Sequence, residues 1–287
     1  MAMPKVSIIM GTWNRARMLG RAIQSVQAQT FKDWELIVAN DGSTDDTVLV
    51  VEEWKKKEPR IVFVNNRVNR GISKNYNSAF TVAKGEYIAM IDDDDPWCGN
   101  ERLKKQVAFL DKNPEYVGCG GGVIVIDANG KPDRLASESV VGRELYRYLK
   151  PEKDGEIRAR MLFSNPMANS TTLFRRVTAE KVGWYDETTR YSGDRDFWLK
   201  LGREGKLYNF PEYFSYYTMS GENTSISKIR PHLRASLMIM RRYKKDYPHY
   251  VPALAVNMVQ YWYAFLPAFL RGGLHYTLAR LKRAVLG

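Results

Sequence analysis

Residues 86–97 read EYIAMIDDDDPW, a short apolar run that ends in four consecutive aspartates. Adjacent carboxylates repel and Asp is a poor strand former, so the run gives local folding nothing. Asp and the following Pro96 suit a turn, and a solvated turn is the plain reading. At the mouth of a buried strand the cluster has a second use. A hard divalent cation takes oxygen ligands, and two or three adjacent carboxylates supply them.

The surrounding chain sets the context for this strand. Upstream, Val6–Met10 (VSIIM) reads as a buried strand and Arg17–Gln29 as a helix, with Leu19, Ile23 and Val26 at helical spacing. A strand at Glu35–Ala39, a turn in NDGSTDD, a helix near Thr47–Lys57, a strand at Ile61–Val64 and a helix near Ser73–Ala83 follow. The strand Tyr87–Ile91 then delivers the Asp run, and Arg102–Asp111 is helical again. Alternating strands and helices predict an α/β fold, with a mostly parallel sheet and helices on both faces. Ligands of such sheets bind beyond the C-terminal strand ends. GTWN, NDGS and DDDD all fall at such ends.

From about 115 to 225 the pattern is less regular. Glycines 118 and 120–122 are expected to interrupt a strand, STTLFR (Ser170–Arg175) reads as a strand, and SGDRDFWLKLGREG reads as a turn entering a helix. The tail differs in kind: between Lys245 and Arg271 the only charged residue is Asp246. The run VPALAVNMVQYWYAFLPAFL is long enough to span a bilayer, though Pro252, Asn257, Gln260 and Pro267 suit a span poorly. RGGLHYTLARLKRAVLG then mixes Leu with Arg280, Lys282 and Arg283, a pattern that favours a membrane interface. The alternatives are helices packed on the domain or an oligomer contact.

Composition narrows the classes. A formal net charge of +12 favours an anionic partner, whether nucleic acid, phosphorylated ligand or anionic membrane. No nucleic-acid-binding motif accompanies it. Two cysteines, Cys98 and Cys119, exclude a disulfide framework and a cysteine zinc site and suit a reducing compartment. The apolar run at the N-terminus is too short for a signal peptide, so a cytoplasmic location is expected. MGTWNR lacks the glycine fingerprint of a dinucleotide-binding dehydrogenase.

Three acidic sites carry the chemistry. Asp41 ends a strand ahead of a helix cap that Ser43 and Asp45 can supply, which leaves Asp41 for ligand hydrogen bonds. Asp92–Asp95 is the cation candidate. Asp194 and Asp196 stand at a helix start, where one acid is explained by the helix dipole and two are explained less well.

VSIIMGTWNR, ELIVANDGSTDDT, NRGISKNYNSAF, GEYIAMIDDDDPW and GDRDFWLKL stand in the order and spacing of the family 2 glycosyltransferases, which the chain resembles over about residues 4–225. The resemblance implies an inverting enzyme with a single A-type α/β domain. Its catalytic domain would be 1–228, with a nucleotide-binding half at about 1–130 and an acceptor half at about 131–228. A helical, membrane-associating region, 229–287, would follow. The resemblance implies a nucleotide-sugar donor with a lean to UDP, and Mn2+ or Mg2+ held by Asp92 and Asp94, with Asp93 and Asp95 as alternative registers. Asp41 would bind the base, Thr12, Trp13 and Asn14 would line the same pocket, and Asp92 and Asp93 would reach the ribose and phosphates. Asp194 matches the general base. Gly193 stands where the family has Glu. The family histidine near Ser220 is missing, which leaves phosphate contacts to Arg70 and Lys74. A lipid-linked or polysaccharide acceptor at the inner membrane face would fit the charge and the tail.

A glycoside hydrolase also uses two carboxylates, but needs neither the Asp cluster nor the strand-end pocket. A binding module without turnover is the other competing class, and intact Asp194 argues against it.

Overall fold

The computed structural model describes residues 3–127, 129–131, 147–219 and 228–266. Its first half alternates as expected: β1 (Val6–Thr12), α1 (Ala16–Gln27), β2 (Trp34–Asp41), α2 (Thr47–Lys57), β3 (Ile61–Asn66), α3 (Ile72–Phe80) and β4 (Tyr87–Asp92). β1 pairs in parallel with β2 and β4, and β2 with β3. The register sets Gly11 opposite both Ala39 and Asp92, so the three strands end side by side.

Period-2 alternation divides the core between the two faces of the sheet. Ile9, Ile37, Ile88 and Met90 face one way and pack with Tyr76 and Phe80 of α3. Ile8, Met10, Leu36, Val38 and Ile91 face the other way, toward Leu19 and Ile23 of α1 and Val51 of α2. On α1 the buried positions Leu19, Ala22, Ile23 and Val26 follow the spacing of one helical face. Each large apolar side chain removed from water contributes roughly 1.5–3 kcal/mol, which fixes the sheet firmly beneath its polar rim.

The second half comprises α4 (Arg102–Lys112), β5 (Tyr116–Asp127), β6 (Arg147–Tyr148), α5 (Asp154–Arg160), a 3-10 turn (Asn169–Thr171), β7 (Leu173–Arg175), α6 (Arg176–Val182), α7 (Gly193–Glu204) and β8 (Lys206–Met219). The sheet runs β3-β2-β1-β4-β7-β5-β6, with β8 pairing β5. β7 is antiparallel to both neighbours.

Two expectations change here. β5 is not interrupted at its glycines: it runs through them, and they admit close neighbours. A Cβ at Gly120 would lie 2.6 Å from Asn209 Oδ1, and one at Gly121 2.6 Å from Phe214 Cδ2. The cost appears as register shifts against β8 at these residues. The strand expected from Ser170 starts only at Leu173, because the Thr171 hydroxyl donates back to the Ala168 carbonyl at 2.7 Å and closes a turn.

The tail begins as a helical hairpin, α8 (Ile229–Arg242) and α9 (Tyr250–Tyr263). Leu237, Ile239, Met240 and Ala253 join the core on the α3 side of the sheet. Pro252 sits in the first turn of α9, where its missing N–H breaks no helical bond. Among the described residues no helix is long and apolar enough to cross a membrane. The basic stretch in 271–287 lies outside the described residues.

Candidate active site

The strand ends bring the predicted donor residues onto one rim. Thr12 is buried at the end of β1, while Trp13 is 52% exposed. Asn14 adopts φ +53° and ties two loops together: its Oδ1 accepts from Thr44 N at 2.7 Å and its own N–H donates to Ser43 Oγ at 2.8 Å. Asp45 accepts from the backbone N–H of Thr47 and of Ala16 and so ties the starts of α1 and α2, while the cap position of α2 falls on Asp46 and not on Ser43 or Asp45.

Asp41 is buried, and each of its oxygens holds the entrance to α3. Oδ1 accepts from Arg70 N at 2.7 Å and Oδ2 from Gly71 N at 3.0 Å. Gly71 makes this turn possible with φ +89°, which a side chain would resist. Among the described residues no side chain caps α3, which leaves its first N–H groups facing outward along the helix axis. They border a cavity of about 240 Å³ lined by Arg70, Ser73, Lys74, Thr189 and Arg190 among others.

The four aspartates divide their work. Asp92 is held in place: Oδ1 accepts from Tyr76 OH at 2.6 Å and Asn169 Nδ2 at 3.1 Å, and Oδ2 from Ser170 Oγ at 2.7 Å. Asp95 is a structural tie, accepting from Thr218 N of β8 at 2.8 Å. Burial and the charges of Asp94 and Asp92 raise its pKa well above the carboxylate range. Asp93 and Asp94 meet a residue that the sequence did not single out. Arg15 Nη1 lies 2.9 Å from Asp93 Oδ1 and 2.5 Å from Asp94 Oδ2. Burial works against the charge on Arg15, but the two carboxylates outweigh it and raise its pKa. Burial raises Asp93 and Asp94 as well, with Arg15 opposing.

The turn that carries Asn169 and Ser170 is itself anchored by Arg102, 1% exposed in α4. Its guanidinium donates to the carbonyls of Ser170 and Thr172 at 2.5 and 2.9 Å and lies 3.9 Å from the Trp97 ring centroid. Burial lowers its pKa to about 9.

The cluster suits a hard cation through its all-oxygen donor set, and among the described residues the buried Asp93 Oδ2 has no hydrogen-bond partner. Among the described residues no three His, Cys, Asp or Glu side chains are arranged to hold a metal alone. One or two carboxylates completed by substrate phosphates is the usual arrangement for Mg2+.

Across the rim stands Asp194, in the first turn of α7. Asn165 Nδ2 donates to its Oδ2 at 2.8 Å. Burial and the charge of Asp92 raise its pKa, while the Arg195 N–H pulls the other way. Gly193 fits a tight junction, because a Cβ there would lie 2.9 Å from Ser73 Oγ at the start of α3. The second acid, Asp196, is wholly buried and binds Arg242 Nη1 at 2.9 Å and Tyr243 OH at 3.0 Å. That pairing fastens α8 to α7. His232 of α8 likewise reaches Ser192 Oγ at 3.2 Å, beside the Asp194 turn. Nothing in sequence 40 residues away signals that contact. Ser220 lies outside the described residues.

Comparison with known proteins gives this geometry a context. Residues 7–183 match the model for glycosyl transferase family 2. A relative, the GalNAc(5)-diNAcBac-PP-undecaprenol beta-1,3-glucosyltransferase of Campylobacter jejuni, is 32% identical over 72% of this chain and 62% of its own. Two solved structures share the fold. The mannosyltransferase PcManGT from Pyrobaculum calidifontis, in complex with GDP-Man and Mn2+, superposes with TM-score 0.66 at 17% identity over 98% of this chain and 81% of its own. TarS 1–349 of S. aureus with UDP-GlcNAc gives 0.63 at 21% identity over 91% of this chain and 73% of its own. Of another solved TarS chain the protein covers 43%.

Proposed function

The chain belongs to glycosyltransferase family 2, and on that premise we propose that it moves a sugar with inversion from a nucleotide sugar, UDP-linked by preference, to a glycan or lipid-linked acceptor. The observation that carries this reading is the placement of Asp194 across the rim from Asp92–Asp95, near enough for Asp92 to act on its titration. A general base and a diphosphate site facing one cleft are what in-line displacement at an anomeric carbon needs.

In this mechanism Asp194 accepts the proton of the acceptor hydroxyl while the acceptor's own oxygen bonds to the anomeric carbon. The bond from that carbon to the diphosphate breaks on the opposite face, and the configuration inverts. Asn165 orients the carboxylate, and the lowered acidity of Asp194 makes it a stronger base. Asp92 and Asp94 would hold Mn2+ or Mg2+, which as a Lewis acid offsets the charge of the departing diphosphate. Asp93 would serve the ribose and phosphates. Arg70, Lys74 and the open N-terminus of α3 supply further positive potential at the cavity. Thr12, Trp13 and Asn14 would line the base pocket with Asp41, the exposed Trp13 ring offering a stacking face.

The donor half would be 1–130, the acceptor half 131–228, and 229–287 the region that meets the membrane from the cytoplasmic side. On α9 the residues Val251, Val259 and Trp262 are 74%, 52% and 62% exposed, an apolar outer face consistent with that role. The Campylobacter relative is named for an undecaprenol-linked acceptor, which supports the lipid-linked reading.

The test is transfer from labelled UDP-, GDP- and dTDP-sugars to lipid extracts, with the anomeric configuration of the product read by NMR. Product of inverted configuration that vanishes in Asp194→Asn supports the proposal. A retained configuration, or transfer unaffected in Asp194→Asn, contradicts it.

A further inference from the structure

We infer that Arg15, which bridges Asp93 and Asp94, competes with the divalent cation for Asp94, and so makes cation binding conditional on the nucleotide. This rests on the metal-dependent donor site proposed above. Arg15 Nη1 is 2.5 Å from Asp94 Oδ2 and 2.9 Å from Asp93 Oδ1, so one guanidinium nitrogen bridges both carboxylates. A cation bound through the same Asp94 oxygen has no room for that nitrogen. A +2 ion beside a half-buried +1 group is also disfavoured by repulsion in a site screened from water.

The bridge is not a surface ion pair of small consequence. The side chains of Asp93 and Asp94 are 4% and 7% exposed, and that of Arg15 is 23% exposed. Removing one partner from such a cluster leaves buried charge uncompensated, so the carboxylates hold whichever cation is present. Arg15 therefore neutralises the site until a stronger partner for it arrives. A nucleoside diphosphate is that partner: its oxygens match the guanidinium fork and also supply ligands to the divalent ion. Released from Asp94, the guanidinium turns to the diphosphate, and cation and donor then bind as a set. Arg15 is in this account a residue that orders binding, placed one residue beyond the Asn14 turn that fixes its origin.

The experiment is calorimetric titration of Mn2+ into wild type, Arg15→Ala and Arg15→Gln, each with and without UDP. Without UDP, both variants are expected to bind Mn2+ roughly tenfold or more tightly than wild type, within the usual range of coupling between sites. The gain in Mn2+ affinity on adding UDP is expected to shrink accordingly. Thermal melts give a second readout, with Mn2+ alone raising the melting temperature of the variants more than that of wild type. If Arg15→Ala does not fold, Arg15→Gln keeps an N–H donor at the site without the charge. Variants that bind nucleotide-free Mn2+ no better than wild type, while wild type binds it with UDP, overturn this inference alone. Absence of Mn2+ binding by all three proteins even with UDP overturns the metal-dependent donor site and this inference together.

Discussion

Asn165 Nδ2 donates to Asp194 Oδ2 at 2.8 Å, joining the segment after α5 to the first turn of α7. Asn165 thereby fixes the orientation of the carboxylate proposed to take the acceptor proton. Asp194→Asn should lower kcat by roughly 10²–10⁴-fold, the span for loss of a general base, with nucleotide affinity unchanged in a binding titration. A parallel fall in nucleotide affinity would place Asp194 in donor binding instead.

The pH–rate profile follows from the same contact. Burial and Asp92 raise the pKa of Asp194, and only its deprotonated form accepts a proton. Activity should therefore rise with pH along a limb lying above the ordinary carboxylate value. Asn165→Ala removes a donor that favours the charged form, so its limb should move to higher pH. A limb that stays in place would detach Asn165 from the titration.

A raised acid pKa also costs stability as pH increases. Native Asp194 binds more protons than its unfolded counterpart between the two pKa values, so stability is lost as pH rises through that window. Asp194→Asn is expected to be more stable than wild type at pH 7. The difference should fade below the unfolded carboxylate pKa, as measured by thermal melts across pH.

Arg102 is predicted to be structural and not catalytic. It satisfies buried carbonyls of Ser170 and Thr172, and Ser170 in turn supports Asp92. Arg102→Ala should destabilise the protein by about 3 kcal/mol or more, since the carbonyls lose their donors and a cavity opens. Denaturant unfolding measures this directly.

Glu58 offers an independent check of the electrostatics far from the site. Arg60 donates to both of its oxygens at 2.7 Å and holds its pKa down at about 2. A depressed acid pKa contributes stability above the unfolded value that is lost as pH falls through the folded one. Glu58→Gln should cost about 1 kcal/mol at pH 7, and the cost should vanish as pH approaches 2.

The rim of strand ends was legible in sequence because local patterns make it. Apolar strands, helix-spaced leucines and strand-end acids each span a few residues, and the parallel register simply aligns them. Contacts made across long separations were not legible. Arg15 joins Asp93 from 78 residues away, and Asp94 with it, and Arg102 supports Ser170 across 68. Neither residue differs in its local sequence from a solvated arginine. The β5 glycines misled for the same reason: their local preference for breaking a strand yielded to the close approach of Asn209 and Phe214 on β8. Asp196 was the second acid that a helix dipole explains less well, yet a helix turns positions two apart to different sides, and Asp196 faces Arg242 in the interior.

Nucleotide binding by this protein should depend on both a divalent metal and Asp94. Calorimetric titration of UDP, GDP and dTDP into wild type and Asp94→Ala, with and without Mn2+, tests it most directly. Binding of one nucleotide, UDP by preference, that requires Mn2+ and is lost in Asp94→Ala is the predicted result. Binding indifferent to both Mn2+ and Asp94, or no binding of any of the three, would contradict it.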